Sequence, residues 1–293
     1  MSQIQYINRR SGEIEFEKPP GEWFLKFLYS HPFGKFPLEI FVKRRLLTRY
    51  YGGLMDRESS RKRIERFVRQ FDINMDEAEK PIDQYRSFND FFYRRLKADA
   101  RKVQQGVVSP ADGKLLAFEH IDDLGDFYVK GQKFTLPGFL QDEQLAEKYS
   151  DGAMVIVRLA PHDYHRFHFP YDGTPSQAVS IKGRYYSVSP YAVMTNFAKI
   201  FMENRRERVD LTTSDKGDLM LVPVGATMVG TIVETFSAGQ KVQKGEEMGY
   251  FAFGGSSVVM LFEKDKITLD NDLVSNTKKG YETCVQMGEQ IGK

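Results

Sequence analysis

A serine that directly follows two glycines, in Phe253-Gly-Gly-Ser-Ser257, is the first group in this sequence able to do chemistry on its own backbone. Gly254 and Gly255 enter strained backbone regions at low cost, which stands the Ser256 hydroxyl next to the Gly255 carbonyl. A hydroxyl so placed can attack that carbonyl. The competing reading is a β-bulge that carries a serine. A base is available in the same chain, because three of its five histidines, His162, His165 and His168, fall within seven residues. Imidazole titrates near neutral pH, which suits a general base. On a helix the spacing of three would turn the histidines toward one metal. Pro161, Pro170 and the aromatic residues between them predict an extended or irregular segment instead. With no convincing remote ligand, no metal is expected.

These groups need elements to hold them. Val258–Phe262 is an unbroken apolar run of strand length, and Phe251 and Phe253 alternate around Ala252 ahead of it. Met154–Leu159 reads as a strand that delivers the histidine segment. From residue 107 onward the texture is β: a short strand into a turn at 107–114, where Asp112-Gly113 reads as a turn pair, and meander-like alternation over 115–135. Short helices are expected at 139–148 and 190–204, and strand-turn-strand over Leu219–Glu234. The Gly-punctuated stretch 239–251 resembles the tight turns of lipoyl and biotinyl carriers, without the displayed lysine of a carrier signature.

The N-terminal third reads helical. Trp23 and its aromatic neighbours over 22–29, and the apolar residues of 36–51 interleaved with Lys35, Lys43, Arg44, Arg45 and Arg49, suit helices at a membrane interface or a helical pair packed on its own domain. Residues 57–71 form a further basic amphipathic helix, and Ser87 or Asn89 caps another that buries Phe88, Phe91, Phe92 and Leu96. The chain thus divides into an amphipathic helical region over 1–100, set against a membrane, and a β-rich catalytic region over 101–293. The expected class is α+β: helices packed on a mostly antiparallel β core of lipoyl-carrier-like, barrel-sandwich character.

Composition narrows the function. The 293 residues carry a net charge of +2 and 41% hydrophobic residues, enough for a sizeable core and too little charge for a polyanion binder, so no nucleic acid is expected. A single cysteine, Cys284, rules out a disulfide framework and a cysteine zinc cluster. The polar, charged first twenty residues predict no signal peptide. No stretch reaches the roughly 18 uninterrupted apolar residues of a spanning helix.

Four segments in order carry a family likeness: Phe88-Asn-Asp-Phe-Phe-Tyr-Arg-Arg-Leu-Lys97, Ser109-Pro-Ala-Asp-Gly-Lys114, Leu159-Ala-Pro-His-Asp-Tyr-His-Arg-Phe-His-Phe-Pro170 and Phe253-Gly-Gly-Ser-Ser257. Together the sequence resembles the pyruvoyl-dependent phosphatidylserine decarboxylases, densely over about 85–265. Many bacterial members have Leu-Gly-Ser-Thr at the serine; Gly-Gly-Ser-Ser resembles the other large branch. The resemblance implies that His168 takes the proton of Ser256, that Asp112 orients the imidazole, and that Ser256 attacks Gly255. Cleavage between Gly255 and Ser256 would leave a large chain 1–255 and a small chain 256–293 that stay associated, with a pyruvoyl group in place of Ser256. That group forms a Schiff base with phosphatidylserine and serves as an electron sink while carbon dioxide leaves. His165 is then the candidate for placing the substrate carboxylate or moving a proton in this second reaction. The implied setting is a peripheral protein on an anionic membrane surface, at the cytoplasmic face in a bacterium, with room for a homodimer. Two other readings stay beside it: a Ser-His-Asp hydrolase of an external ester, which lacks the Gly-x-Ser-x-Gly elbow, and a non-enzymatic membrane-binding protein with a carrier-like β domain.

Overall fold

The computed structural model describes residues 4–17, 50, 52–124, 133–226, 231–252 and 256–293. The expected helix over 22–29, that over 36–51 apart from Tyr50, and Gly254 and Gly255 lie outside the described residues. Fifteen strands follow one another among them: β1 (Ile4–Asn8), β2 (Ile14–Glu17), β3 (Val107–Val108), β4 (Gly113–Phe118), β5 (Met154–Leu159), β6 (Arg166–His168), β7 (Thr174–Pro175), β8 (Val179–Ile181), β9 (Arg206–Thr212), β10 (Asp218–Gly225), β11 (Ile232–Glu234), β12 (Glu247–Phe251), β13 (Ser256–Phe262), β14 (Glu282–Val285) and β15 (Gln290–Gly292).

Most of them build one large sheet in the order β2-β1-β14-β4-β5-β13-β10-β9-β7, with β8 also on β9. All its pairings are antiparallel except β1 on β14. The sheet β11-β12-β6 and the pair β15-β3 complete the β structure. The class is α+β, as expected. Every strand order runs from edge to edge, and no sheet closes among the described residues, so the barrel-sandwich character is not seen.

The centre of the large sheet explains the apolar run at 258–262. β13 lies between β10 and β5, and its successive side chains enter two different cores. Val258, Met260 and Phe262 pack with Val155, Val157, Leu219 and Leu221. Val259 and Leu261 pack on the other face with Met154, Ile156, Met220 and Val222. A strand covered on both faces has no solvent side, so its sequence does not alternate. The second core is roofed by the short helices Leu136–Leu140 and Glu143–Lys148 and by the helix Pro190–Glu203.

Two departures from the sequence reading bear on the frame of the site. Residues 4–17 are a β-hairpin, not helix, and β1 adds to the large sheet alongside β14. Asp112-Gly113 is not a turn pair: Gly113 opens β4, where a Cβ would stand 2.6 Å from the Arg158 carbonyl oxygen. The glycine is there for close approach of two strands. The basic segment 57–71 is helical as read, a 3-10 turn Glu58–Arg63 running into the helix Ile64–Phe71. The helix Phe88–Phe92 starts where expected, with Ser87 Oγ accepting from Asp90 N at 3.2 Å. Its phenylalanines pack with Met55, Ile64 and Tyr85 in a third core.

Candidate active site

Ser256 is the first residue of β13 and is fully buried. It pairs with Leu159 at the end of β5 on one side and with Gly225 at the end of β10 on the other. Beyond Leu159 the chain turns back through 160–165. Asp163 holds that turn, donating its N–H to the Ala160 carbonyl at 2.9 Å while its Oδ2 accepts from Ala160 N at 2.7 Å. Lys114, from β4, anchors the same carboxylate at 3.0 Å. Burial alone would raise the Asp163 pKa, but Lys114, His162 and the Ala160 N–H overcome it and hold the group far below its usual range. The paired lysine stays charged although it is almost wholly buried.

This turn carries His165 to the serine. His165 Nδ1 lies 3.4 Å from Ser256 Oγ, and His165 Nε2 lies 3.0 Å from the Ala160 carbonyl oxygen. A carbonyl can only accept, so Nε2 carries the proton and Nδ1 faces the serine as an acceptor. The ring stacks on Phe92, with centroids 3.9 Å apart. Complete burial pushes the His165 pKa down to about 3, and the nearby Arg94 charge pushes the same way against Asp163. His165 is therefore a neutral base in contact with the serine.

His168 and Asp112 are held elsewhere. His168 Nδ1 donates to the Gly245 carbonyl at 2.9 Å, and Nε2 accepts from the Tyr164 hydroxyl at 3.1 Å. Burial lowers the His168 pKa, opposed by the Gly245 bond and by the charges of Glu247 and Asp112. Asp112 accepts from Arg101 Nη2 at 2.6 Å, from Arg101 Nε at 3.0 Å, and from Met287 N at 2.8 Å. Asp112 thus reaches His168 through its field rather than through a hydrogen bond. His162 stacks on Phe71 and sits 3.7 Å from Asp163. The three histidines therefore face three separate sets of neighbours, and no cluster of metal-ligating groups forms among the described residues.

Several residues that build this site are not visible as site residues in the sequence. Lys114, Asp163, Tyr164, Arg94 and Phe92 all touch the histidine segment or its turn. All five lie inside the family-like segments, and that membership is the only signal they carry. Ser257 points to the opposite face, in register with Arg158, Lys114 and Cys284. Arg158 there binds Glu17 Oε2 at 2.6 Å and Glu282 Oε2 at 2.5 Å, tying the N-terminal hairpin to the strand beside the serine.

Comparison with known proteins shows the family. A family model described as phosphatidylserine decarboxylase matches residues 88–293, the part of the chain that holds every residue of the site. A phosphatidylserine decarboxylase proenzyme of Fusobacterium nucleatum is 52% identical over 292 residues, covering 99% of this chain and 97% of the relative. Proenzymes of the same name from Clostridium novyi and Desulfitobacterium hafniense are each 44% identical, over 99% of this chain and 99% and 98% of their own lengths. With a matched family model over more than half its length and relatives this similar from end to end, the chain belongs to the phosphatidylserine decarboxylase family.

Proposed function

We propose that this chain is a proenzyme that cuts itself between Gly255 and Ser256 and then decarboxylates phosphatidylserine to phosphatidylethanolamine. The observation that carries the reading is a fully buried serine at the head of a central strand, in contact with a neutral imidazole, in a chain of this family. The Gly-Gly-Ser-Ser segment supports a place in the branch that shares those residues.

In the first reaction the Ser256 oxygen attacks the Gly255 carbonyl carbon, and the Gly255–Ser256 amide becomes an ester with a free amine at 256. A base then removes the Ser256 Cα proton, the Cβ–O bond breaks, and Gly255 leaves as a carboxylate. The dehydroalanine left at 256 tautomerises to an imine, and water hydrolyses it to ammonia and a pyruvoyl group. Ser256 suits that fate: it is dry, and its backbone is pinned between β5 and β10, so the new end stays in place. Bound at 256, the pyruvoyl group supplies a ketone that engages the substrate amine and takes up the electrons released as carbon dioxide leaves.

The protein's own groups divide the proton transfers. Asp112 and His168 serve cleavage, an assignment carried over from the family-like segments. To act there, the His168 ring must turn from the Gly245 carbonyl and the Tyr164 hydroxyl toward the serine. His165 serves the second reaction, supported by its contact with residue 256 and its neutral state. Its Nδ1 sits where it can take up a proton in that reaction and return it after carbon dioxide is lost, and with the proton moved to Nδ1 it can place the substrate carboxylate.

The chains 1–255 and 256–293 remain associated in this reading. β13 lies between β10 and β5, and β14 between β1 and β4, so the small chain cannot leave without unpairing the sheet. The basic, aromatic N-terminal region suits a peripheral protein on an anionic membrane surface. No helix among the described residues is long and apolar enough to cross a membrane.

Intact mass tests the reading. The purified protein should contain a 38-residue small chain, 256–293, with no free amine and a mass one ammonia below that of the plain peptide. Borohydride with phosphatidylserine should attach the lipid to that chain. A small chain with an ordinary N-terminal serine refutes the pyruvoyl, and a single intact chain refutes self-cleavage.

A further inference from the structure

Arg94 follows the helix Phe88–Phe92 and is 6% exposed. Its Nη2 donates to the His162 carbonyl at 3.3 Å, and its guanidinium lies 5.1 Å from the Phe91 ring centroid. Its Nε–H is buried without a hydrogen-bond partner, and no carboxylate pairs with it among the described residues. The other three buried arginines among the described residues contrast with it. Arg158 has Glu17 and Glu282, and Arg166 has Glu247. Arg206 donates to the carbonyls of Phe139, Asn204 and Gly138. Burying a cation with an N–H left unsatisfied costs several kcal/mol, and an anion that reaches it would offset that cost.

A second buried atom without a partner, His162 Nδ1, belongs to the residue whose carbonyl Arg94 holds. His162 Nε2 is 3.7 Å from Asp163, too far for a hydrogen bond to fix the tautomer, so Nδ1 is free to carry a proton. The pair is linked to the reacting residue through two intervening side chains. Phe92, two positions before Arg94, stacks on His165, and His165 touches Ser256.

We propose that Arg94, with His162 beside it, is the subsite that binds the phosphodiester of the substrate head group. The inference rests on the decarboxylase reading and adds to it how the head group is held. Phosphatidylserine brings two anions, a carboxylate and a phosphodiester. A cation on the carboxylate would stabilise the ground state and lose its partner as carbon dioxide forms, which raises the barrier. The phosphodiester keeps its charge throughout, so a fixed guanidinium holds it equally in ground and transition states. Such uniform binding shows in KM and leaves kcat alone.

The test uses processed enzyme and short-chain lipids in mixed micelles. Wild type must first release carbon dioxide from phosphatidylserine; failure there refutes the decarboxylase reading itself. Short-chain phosphatidylethanolamine, which has the phosphodiester and no carboxylate, serves as a competitive inhibitor. Arg94→Gln should raise both the KM for phosphatidylserine and the Ki for phosphatidylethanolamine by about tenfold to a hundredfold, with kcat little changed. Arg94→Lys keeps the charge and the stem but lacks the planar fork, so it should raise both by a smaller factor and serves if the glutamine variant does not fold. A raised KM with an unchanged Ki overturns the proposal in favour of the carboxylate. Unchanged KM and Ki in both variants remove Arg94 from the substrate site.

Discussion

Asp163→Asn should be among the most damaging single changes to this fold, although the asparagine is nearly isosteric. The amide oxygen of the new side chain can still accept from Ala160 N, so the turn keeps its local hydrogen bond. What disappears is the charge opposite Lys114, whose side chain is 3% exposed, against 12% for Asp163. Neither group is open enough for water to take over the missing partner. Removing one member of a buried pair costs about 3–5 kcal/mol, because the other charge is left in a poorly solvating interior. Against a total stability of about 5–15 kcal/mol, that is a large share. The measurement is urea unfolding in a Ser256→Ala background, where the chain stays whole and two-state behaviour can be checked. With a slope of about 3 kcal/mol per M, the midpoint should fall by about 1 M or more. Adding Lys114→Met should restore most of the loss, since a neutral pair of similar volume leaves no orphan charge. The folded carboxyl pKa lies below the unfolded one, so its contribution is complete above about pH 4 and fades only in stronger acid. The cost should therefore be constant from about pH 5 to 8. A loss under about 1 kcal/mol, or no recovery with Lys114→Met, would show that the pair is not what holds the turn under His165.

Four further outcomes follow from the site. His168→Ala and Asp112→Asn should give folded, uncleaved chains, while His165→Ala should cleave at least in part and decarboxylate poorly; a denaturing gel and carbon dioxide release decide. The reverse pattern would hand the serine proton to His165, which already touches it. Ser256→Ala should remain one chain and Ser257→Ala should be cut, because Ser257 faces Arg158 on the other side of the sheet; an uncut Ser257→Ala would give that face a part in cleavage. His165 is depressed to about 3 in the folded protein, so the unfolded chain binds the extra proton first and stability falls as pH drops below about 6.5. His165→Gln should flatten that slope in acid unfolding curves, and an unaltered slope would mean that another group sets it. Neutralising Lys43, Arg44 and Arg45 together should weaken binding to anionic vesicles, each residue being worth about 1 kcal/mol; unchanged sedimentation would favour helices packed on the protein.

Much of the organisation can be read from residue order, where the controlling interactions are short-ranged. The unbroken run Val258–Phe262 means a strand with two apolar faces, and β13 has them. Ser87 caps its helix because a side-chain oxygen three residues from an open N–H satisfies it locally. The prolines and aromatic residues around the histidines argue for an extended or irregular segment there for an equally local reason, and 166–168 is indeed extended. Ser256 and the histidine segment stood out by residue type alone.

Tertiary structure decided the rest, because it concerns residues far apart in the chain. The hairpin at 4–17 is short, and Ile14 and Phe16 remain about half exposed, so its alternation is a faint signal until β14 arrives to pair with it. Nothing local joins Glu17 to Arg158, 141 residues away, or Lys114 to Asp163, 49 residues away; only neighbouring strands and turns make buried ion pairs of them. The same holds for the choice among the histidines. Spacing them by three in an irregular segment leaves their directions open. The Ala160–Asp163 turn sends His165 to Ser256 and leaves His168 against Gly245 and Tyr164. Residue types thus named the chemistry available, while side-chain direction, burial and the neutral state of the imidazole at the serine came from packing that no short stretch of sequence contains.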